Sequence, residues 1–230
     1  MDWRERYKSF YYAGAEIPDL ALEPGRTALL VIDIQNTYVR RPDRAGLSPE
    51  ARAEYDRWTP FHERMQGIVI PTVQRLLDYF RERGLEVFHA RIACLTGDGR
   101  DRSLSQRRPG FNDLLLPKDG EDSQIAVDVA PRGEEVVVTK TTDSALTGTN
   151  LRLLLHNMGV ANVVCCGIFT DQCVASTVRS LADESFNVVV VEDGCAAGSD
   201  ELHHKELEII NNIYCQVMSA DDVIGILERG

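Results

Sequence analysis

The 230-residue chain has no apolar run long enough to cross a bilayer, and no apolar core follows its charged first residues, Met1–Asp2–Trp3–Arg4–Glu5–Arg6. Both absences argue against a membrane span or a secretory signal. Its six cysteines, at 94, 165, 166, 173, 195 and 215, follow no framework spacing. Cys165 and Cys166 would face opposite ways on a strand, so reduced thiols and a cytoplasmic protein are expected. No G-x-G-x-x-G follows the first apolar run and no G-x-x-x-x-G-K-[ST] occurs anywhere, which leaves the dinucleotide and P-loop readings without support. Positive charge is scarce: 25 Lys and Arg stand against 36 Asp and Glu, a net charge of −11. That balance excludes nucleic acid and anionic membrane as expected partners. The basic residues there are cluster at Arg40, Arg41 and Arg44, and again at Arg100, Arg102, Arg107 and Arg108. They are either solvated loop charge or a rim that steers an anionic or polar substrate.

What is present is ordinary for a globular protein, 43% apolar and 27% charged. The length suits one domain over 25–230, preceded by an aromatic extension, 1–24, carrying Trp3, Tyr7, Phe10, Tyr11 and Tyr12. Such an arm is expected to dock on the domain or on a neighbouring subunit. From there the chain alternates. Continuous apolar runs at 27–33, 86–92, 135–139, 162–166 and 187–192, with a short one near 214–218, predict buried strands. Helical spacing between them predicts helices over 65–80, 146–158, 173–184, 201–213 and 220–227, while 39–60 and 95–123 read as polar loops. The pattern predicts an α/β fold: a three-layer, doubly wound, mostly parallel sheet with helices on both faces.

Open α/β sheets bind ligands outside the carboxyl ends of their strands. Asp33 ends the first predicted strand, Lys140 ends EVVVT, and Cys173 begins a helix just past NVVCCG. Spacing alone brings all three to one edge. A thiol at a helix start sees the positive end of the macrodipole and free backbone N–H groups. A carboxylate there would take the thiol proton, and an ammonium would hold the thiolate and keep the carboxylate ionised. An oxyanion hole would use the backbone N–H of Cys173 and one from the preceding turn at Phe169. Each residue alone also has a plain reading: a turn cap, a solvated charge, a small buried filler.

Three blocks carry a resemblance: Leu29–Leu30–Val31–Ile32–Asp33–Ile34–Gln35–Asn36–Thr37–Tyr38, then Val138–Thr139–Lys140 with Thr141–Thr142–Asp143–Ser144–Ala145–Leu146, then Gly167–Ile168–Phe169–Thr170–Asp171–Gln172–Cys173–Val174. In that order they resemble the isochorismatase-like cysteine hydrolases over about residues 26–218. The resemblance implies a six-stranded parallel sheet, an Asp–Lys–Cys triad at Asp33, Lys140 and Cys173, and a cis peptide between Ile168 and Phe169 that aims the Phe169 N–H at the oxyanion. It implies a homo-oligomer, dimer or tetramer. Isochorismatases proper lack the cysteine, so Cys173 argues against vinyl-ether hydrolysis. Nicotinamidases add a metal site from one Asp and two His after the first block. Here 39–61 holds no His, His62 stands alone, and His203–His204 are adjacent on a helix, so no metal and no other cofactor is expected.

What remains resembles the metal-free amidohydrolases acting on N-carbamoyl amino acids, ureidoacrylate, biuret or maleamate. The expectation is a cysteine amidohydrolase that cleaves a C–N bond of a small linear amide or ureido compound. The alternatives are the same mechanism on a hydrazide or ring amide, or an idle binding protein on this fold. Biuret hydrolases carry a substrate-binding Gln where this chain has Ile210, beside Asn211 and Asn212, which weakens that assignment. Gln35, Asn36 and Tyr38 follow Asp33 and are expected to face the pocket, Gln35 holding either the Asp, the substrate or the turn. Tyr38 and Phe169 are either pocket walls or core. Arg91 ends the second strand and either binds a substrate carboxylate or makes a surface ion pair. Tyr214 is a weaker pocket candidate, and 95–123 is long enough to act as a lid.

Overall fold

The computed structural model describes residues 2–109 and 115–229; part of the expected lid, 110–114, lies outside the described residues. Among the described residues six strands form one all-parallel sheet: β1 Thr27–Ile32, β2 Glu86–Ile92, β3 Val136–Lys140, β4 Asn162–Ile168, β5 Asn187–Ala196 and β6 Gln216–Met218. β1 and β4 are buried along their whole length, which is why both read as unbroken apolar runs. Spatial order is β3-β2-β1-β4-β5-β6. The chain runs outward from β1 through β2 to β3, then returns to the other side of β1 as β4. The topological switch therefore lies between β1 and β4, where such sheets open a crevice at their carboxyl edge.

Among the described residues eight α-helices complete the fold: α1 Asn36–Val39, α2 Pro49–Arg57, α3 Thr59–Arg64, α4 Ile70–Glu82, α5 Leu151–Asn157, α6 Ala175–Asp183, α7 Asp200–Ile210 and α8 Ala220–Leu227. The expected polar loop over 39–60 holds α2, which buries no side chain and so shows no apolar stripe. α4 buries Val73, Leu76, Leu77 and Phe80 at helical spacing. A π-helical turn, Met65–Val69, precedes it, next to Pro71, which has no N–H to continue the ladder. α5 starts five residues later than its apolar spacing implies. Gly148 has a positive φ of 76°, and Asn150 leaves helical geometry before Leu151.

The amino-terminal arm docks on the domain. Trp3 is buried, Arg6 pairs with Glu192, and Tyr7 Oη donates to Glu192 Oε2 at 2.8 Å. Asn211 Nδ2 donates to the backbone oxygens of Arg6 and Tyr7 at 3.0 and 3.2 Å. Asn211 thus fastens the arm, and Ile210 is wholly buried in the core. Among the described residues no helix is long and apolar enough to cross a membrane.

Beside β3, Glu135 accepts from Arg81 Nε and Nη2 at 2.6 and 2.9 Å, from the Arg132 N–H at 2.9 Å and from His89 Nε2 at 3.1 Å. Burial works against its charge, but these donors outweigh it and hold the carboxyl at about 2, against an ordinary 4.5. A depressed carboxyl stabilises the fold above its unfolded pKa, and that stability is lost as pH falls through the folded one. Glu135→Gln should lower the unfolding free energy at pH 7 by on the order of 2 kcal/mol. In urea titrations the gap to wild type should shrink below about pH 4.5 and vanish near pH 2; a gap independent of pH would contradict this account.

Candidate active site

β1 ends at Ile32, and Asp33 follows with φ 54°, a left-handed conformation that Asp adopts more readily than most residues. Its N–H donates to Ala90 O at 2.9 Å, and its own carbonyl accepts from Gln35 N at 2.8 Å. This tight turn at the switch point buries the Asp33 carboxyl almost completely. On β4, Gly167 has φ 120°, and a Cβ there would stand 2.0 Å from Ile32 O. Only glycine lets β4 approach β1 this closely. The next peptide but one, Ile168–Phe169, is cis. Thr170–Val174 then form a π-helical turn that leads into α6. Cys173 therefore sits within this turn rather than opening α6.

Lys140 ends β3, two strands from β1, a separation of about 10 Å. Its register partner on β2 is Ile92. The ammonium is fully buried. It lies 2.7 Å from Asp33 Oδ2 and donates to Cys173 Sγ at 3.2 Å and to Thr142 O at 3.2 Å. The ammonium thus has two hydrogen-bond acceptors and one ion-pair partner, the Asp33 carboxylate, whose oxygens accept no hydrogen bond among the described residues. Burial alone would lower the ammonium; Asp33 and then Cys173 outweigh it and hold it above its ordinary value. Burial pushes the Asp33 carboxyl up, against the pull of Lys140. Burial and then the Asp33 charge push the Cys173 thiol well up, with Lys140 pulling it down. The resting arrangement is a thiol beside an ion pair.

Asp33 and Cys173 border a cavity of about 380 Å³, a size that suits a small molecule. Tyr38, Trp58, Phe61 and Phe169 wall it. Their rings meet Phe169 with centroids 5.5, 5.9 and 5.0 Å away for Tyr38, Trp58 and Phe61. Asp143 and Gln106 also line it. Asp143 Oδ1 accepts from Gln106 Nε2 at 2.7 Å and from the Cys173 thiol at 3.9 Å. His62 completes this side. Burial, then Arg41, push it down to about 4, so it is neutral at pH 7, and its Nδ1 has no hydrogen-bond partner.

Four expected pocket residues stand elsewhere. Gln35 is wholly buried: Oε1 accepts from Ile92 N at 2.9 Å, and Nε2 donates to Ile92 O and Ser123 O at 2.9 and 2.8 Å. Asn36 Nδ2 donates to Glu121 O at 2.8 Å. Arg91 donates to Gln124 Oε1 at 2.7 Å and to Thr139 Oγ1 at 3.2 Å. The two-residue strand period puts Arg91 and Thr139 on the sheet face opposite Ile92 and Lys140. All three side chains fasten segment 121–124 to the sheet edge rather than facing the cavity. Tyr214 precedes β6 and so lies at the opposite, amino edge, beside Arg179. Of the basic clusters, Arg40 pairs with Glu121, Arg44 with Asp56 and Arg100 with Asp98. His203 lies between Arg64 and Thr170, at 2.8 Å from each. Among the described residues no group of three or more His, Cys, Asp or Glu is arranged to hold a metal ion.

Sequence reasoning missed Asp143, Gln106, Trp58, Phe61 and His62. Asp143 had a signal, since it lies three residues past Lys140 on the same edge. The others reach the cavity from loop and helix segments with no local marker.

The isochorismatase domain matches residues 27–222. A ureidoacrylate amidohydrolase from Acinetobacter baylyi is 25% identical over 242 residues, covering 99% of this chain and 94% of that protein. An N-carbamoylsarcosine amidase from an Arthrobacter species is 29% identical over 185 residues, covering 74% and 67%. The solved structure of an isochorismatase family protein from Burkholderia thailandensis superposes with a TM-score of 0.72 at 30% identity, covering 93% of this chain and all of that one (100%).

Cys165, Cys166, Cys195 and Cys215 are all raised by burial and lie in the core; Cys173 alone of these five borders the cavity. Iodoacetamide at neutral pH should alkylate Cys173 at least tenfold faster than those four, read by peptide mass spectrometry. Asp33→Asn should slow that reaction. Equal labelling of the five would refute the assignment of Cys173 as the accessible thiol.

Proposed function

This chain belongs to the isochorismatase family, and we propose that it is an amidohydrolase that cleaves a small linear amide or ureido compound through a cysteine acyl-enzyme. The amidohydrolase and amidase names of its relatives support hydrolysis of a C–N bond. The observation that carries the mechanism is the buried Lys140 ammonium, which bridges Asp33 at 2.7 Å and Cys173 at 3.2 Å.

In this reading Asp33 takes the thiol proton as sulfur attacks the carbonyl carbon, and Lys140 holds the negative charge on either partner. The backbone N–H groups of Phe169 and Cys173 receive the oxyanion. As the tetrahedral intermediate collapses, the C–N bond breaks and Asp33 returns the proton to the departing nitrogen, releasing ammonia or an amine. Water then gives its proton to Asp33, attacks the thioester carbon, and the acid leaves as the thiol is restored. The burial of Asp33 suits this proton exchange, because a raised carboxyl is a stronger base for the thiol proton.

Ammonia release should be measured over a panel of N-carbamoyl acids, ureidoacrylate, biuret and maleamate. With the best substrate, Cys173→Ala should lose at least 10³-fold in kcat, and Lys140→Met should lose a similar factor. A near-wild-type rate in Cys173→Ala would refute the acyl-enzyme. The base must be ionised to act, so kcat/KM should fall as pH drops through the Asp33 pKa. That acid limb should lie above 3.8, the ordinary value, and no limb there would contradict Asp33 as the base.

A further inference from the structure

The charges around the cavity are unequal. Asp33 is matched by Lys140, a buried ammonium that pairs with it at 2.7 Å and donates to Cys173 and Thr142. Asp143 is a second carboxylate, 3.9 Å from the sulfur, and its neighbour there is the neutral amide of Gln106. Among the described residues no Arg or Lys lines the cavity. Arg91 is turned to the other face of the sheet and held by Gln124 and Thr139. Arg41, whose charge acts on His62, donates to Tyr55 O and Thr59 Oγ1 and stacks on the Tyr55 ring at 3.4 Å. His62 itself is neutral, and the rest of the wall is aromatic.

A substrate carboxylate in this space would meet Asp143 with no cation left to pair it, and like charges this close repel. An N–H group or an ammonium would instead donate to the Asp143 carboxylate, and an ammonium would also face aromatic rings whose π-systems attract cations. We propose that the site selects small amides or ureas whose non-reacting end is an N–H donor, neutral or cationic, and rejects those that end in a carboxylate. This inference rests on the amidohydrolase reading and gives it a substrate class. Asp143 is its specificity-determining residue, acting on the substrate rather than on the proton exchange.

The test separates binding from turnover. Three ureas with the same head and different tails serve as probes: ureidoacetate, ureidoacetamide and N-(2-aminoethyl)urea. Their Kd values are measured calorimetrically on Cys173→Ala, which cannot form a thioester. The ammonium and amide probes should bind at least tenfold more tightly than ureidoacetate. Adding Asp143→Asn should narrow that ratio at least tenfold, mainly by improving ureidoacetate. Tightest binding of ureidoacetate, an unchanged ratio in Asp143→Asn, or binding of none of the three would overturn the proposal. If Asp143→Asn does not fold, the order of the three probes on Cys173→Ala decides alone. Failure of the amidohydrolase reading looks different: the probes bind in the stated order, yet the wild type releases no ammonia from any member of the panel.

Discussion

A lysine ammonium shut away from water is tolerated only when its charge is matched, because burying a charge costs several kcal/mol that pairing must offset. Lys140 is neutralised by the Asp33 carboxylate and donates to Cys173 and Thr142, and much of the fold follows from bringing those partners together. Strand order β3-β2-β1-β4 puts Lys140 at the end of β3, Asp33 past β1 and Cys173 past β4, all at one edge. Gly167 lets β4 close on β1. Gln35, Asn36 and Arg91 pin segment 121–124 against the same edge. A change that shifts any of these strand ends by one residue would leave a buried charge without a partner.

The same arrangement sets the chemistry. A thiol that ionised freely would need only a cation beside it. Cys173 has a cation and two carboxylates near it, and burial keeps it protonated at rest. In the proposed mechanism its reactivity depends on handing the proton to Asp33 during attack, with Lys140 neutralising whichever atom carries the charge. Asp143 has no such partner, so its field falls on whatever enters the cavity. In the proposed scheme one carboxylate does the proton work and the other filters substrates, and the difference lies in which of them Lys140 pairs with.

Much of this was legible in the chain. Strands buried on both faces announce themselves as unbroken apolar runs, so β1 and β4 and the ends that carry Asp33 and Cys173 could be located from pattern. Lys140 followed because parallel strands all end at one edge. The misplacements have physical causes. Gln35, Asn36 and Arg91 lie beside the site in sequence, but a tight turn and the two-residue strand period aim them at segment 121–124 instead. Tyr214 is at the wrong edge because it precedes its strand. Trp58, Phe61 and His62 come from α2–α3, a region whose polar surface helix hides its one inward face, and Gln106 comes from a loop. Such residues converge only by tertiary closure, which leaves no periodic trace.

The central claim is that Cys173 carries the acyl group between loss of the amine and attack by water. Acid-quenched single turnovers of the best ammonia-releasing substrate, analysed by peptide mass spectrometry, test it directly. The account predicts a transient adduct on the Cys173 peptide, of the mass of the substrate acyl group, that rises with release of the amine and decays as the acid appears. Complete conversion of substrate to acid with Cys173 unmodified at every time point would contradict it.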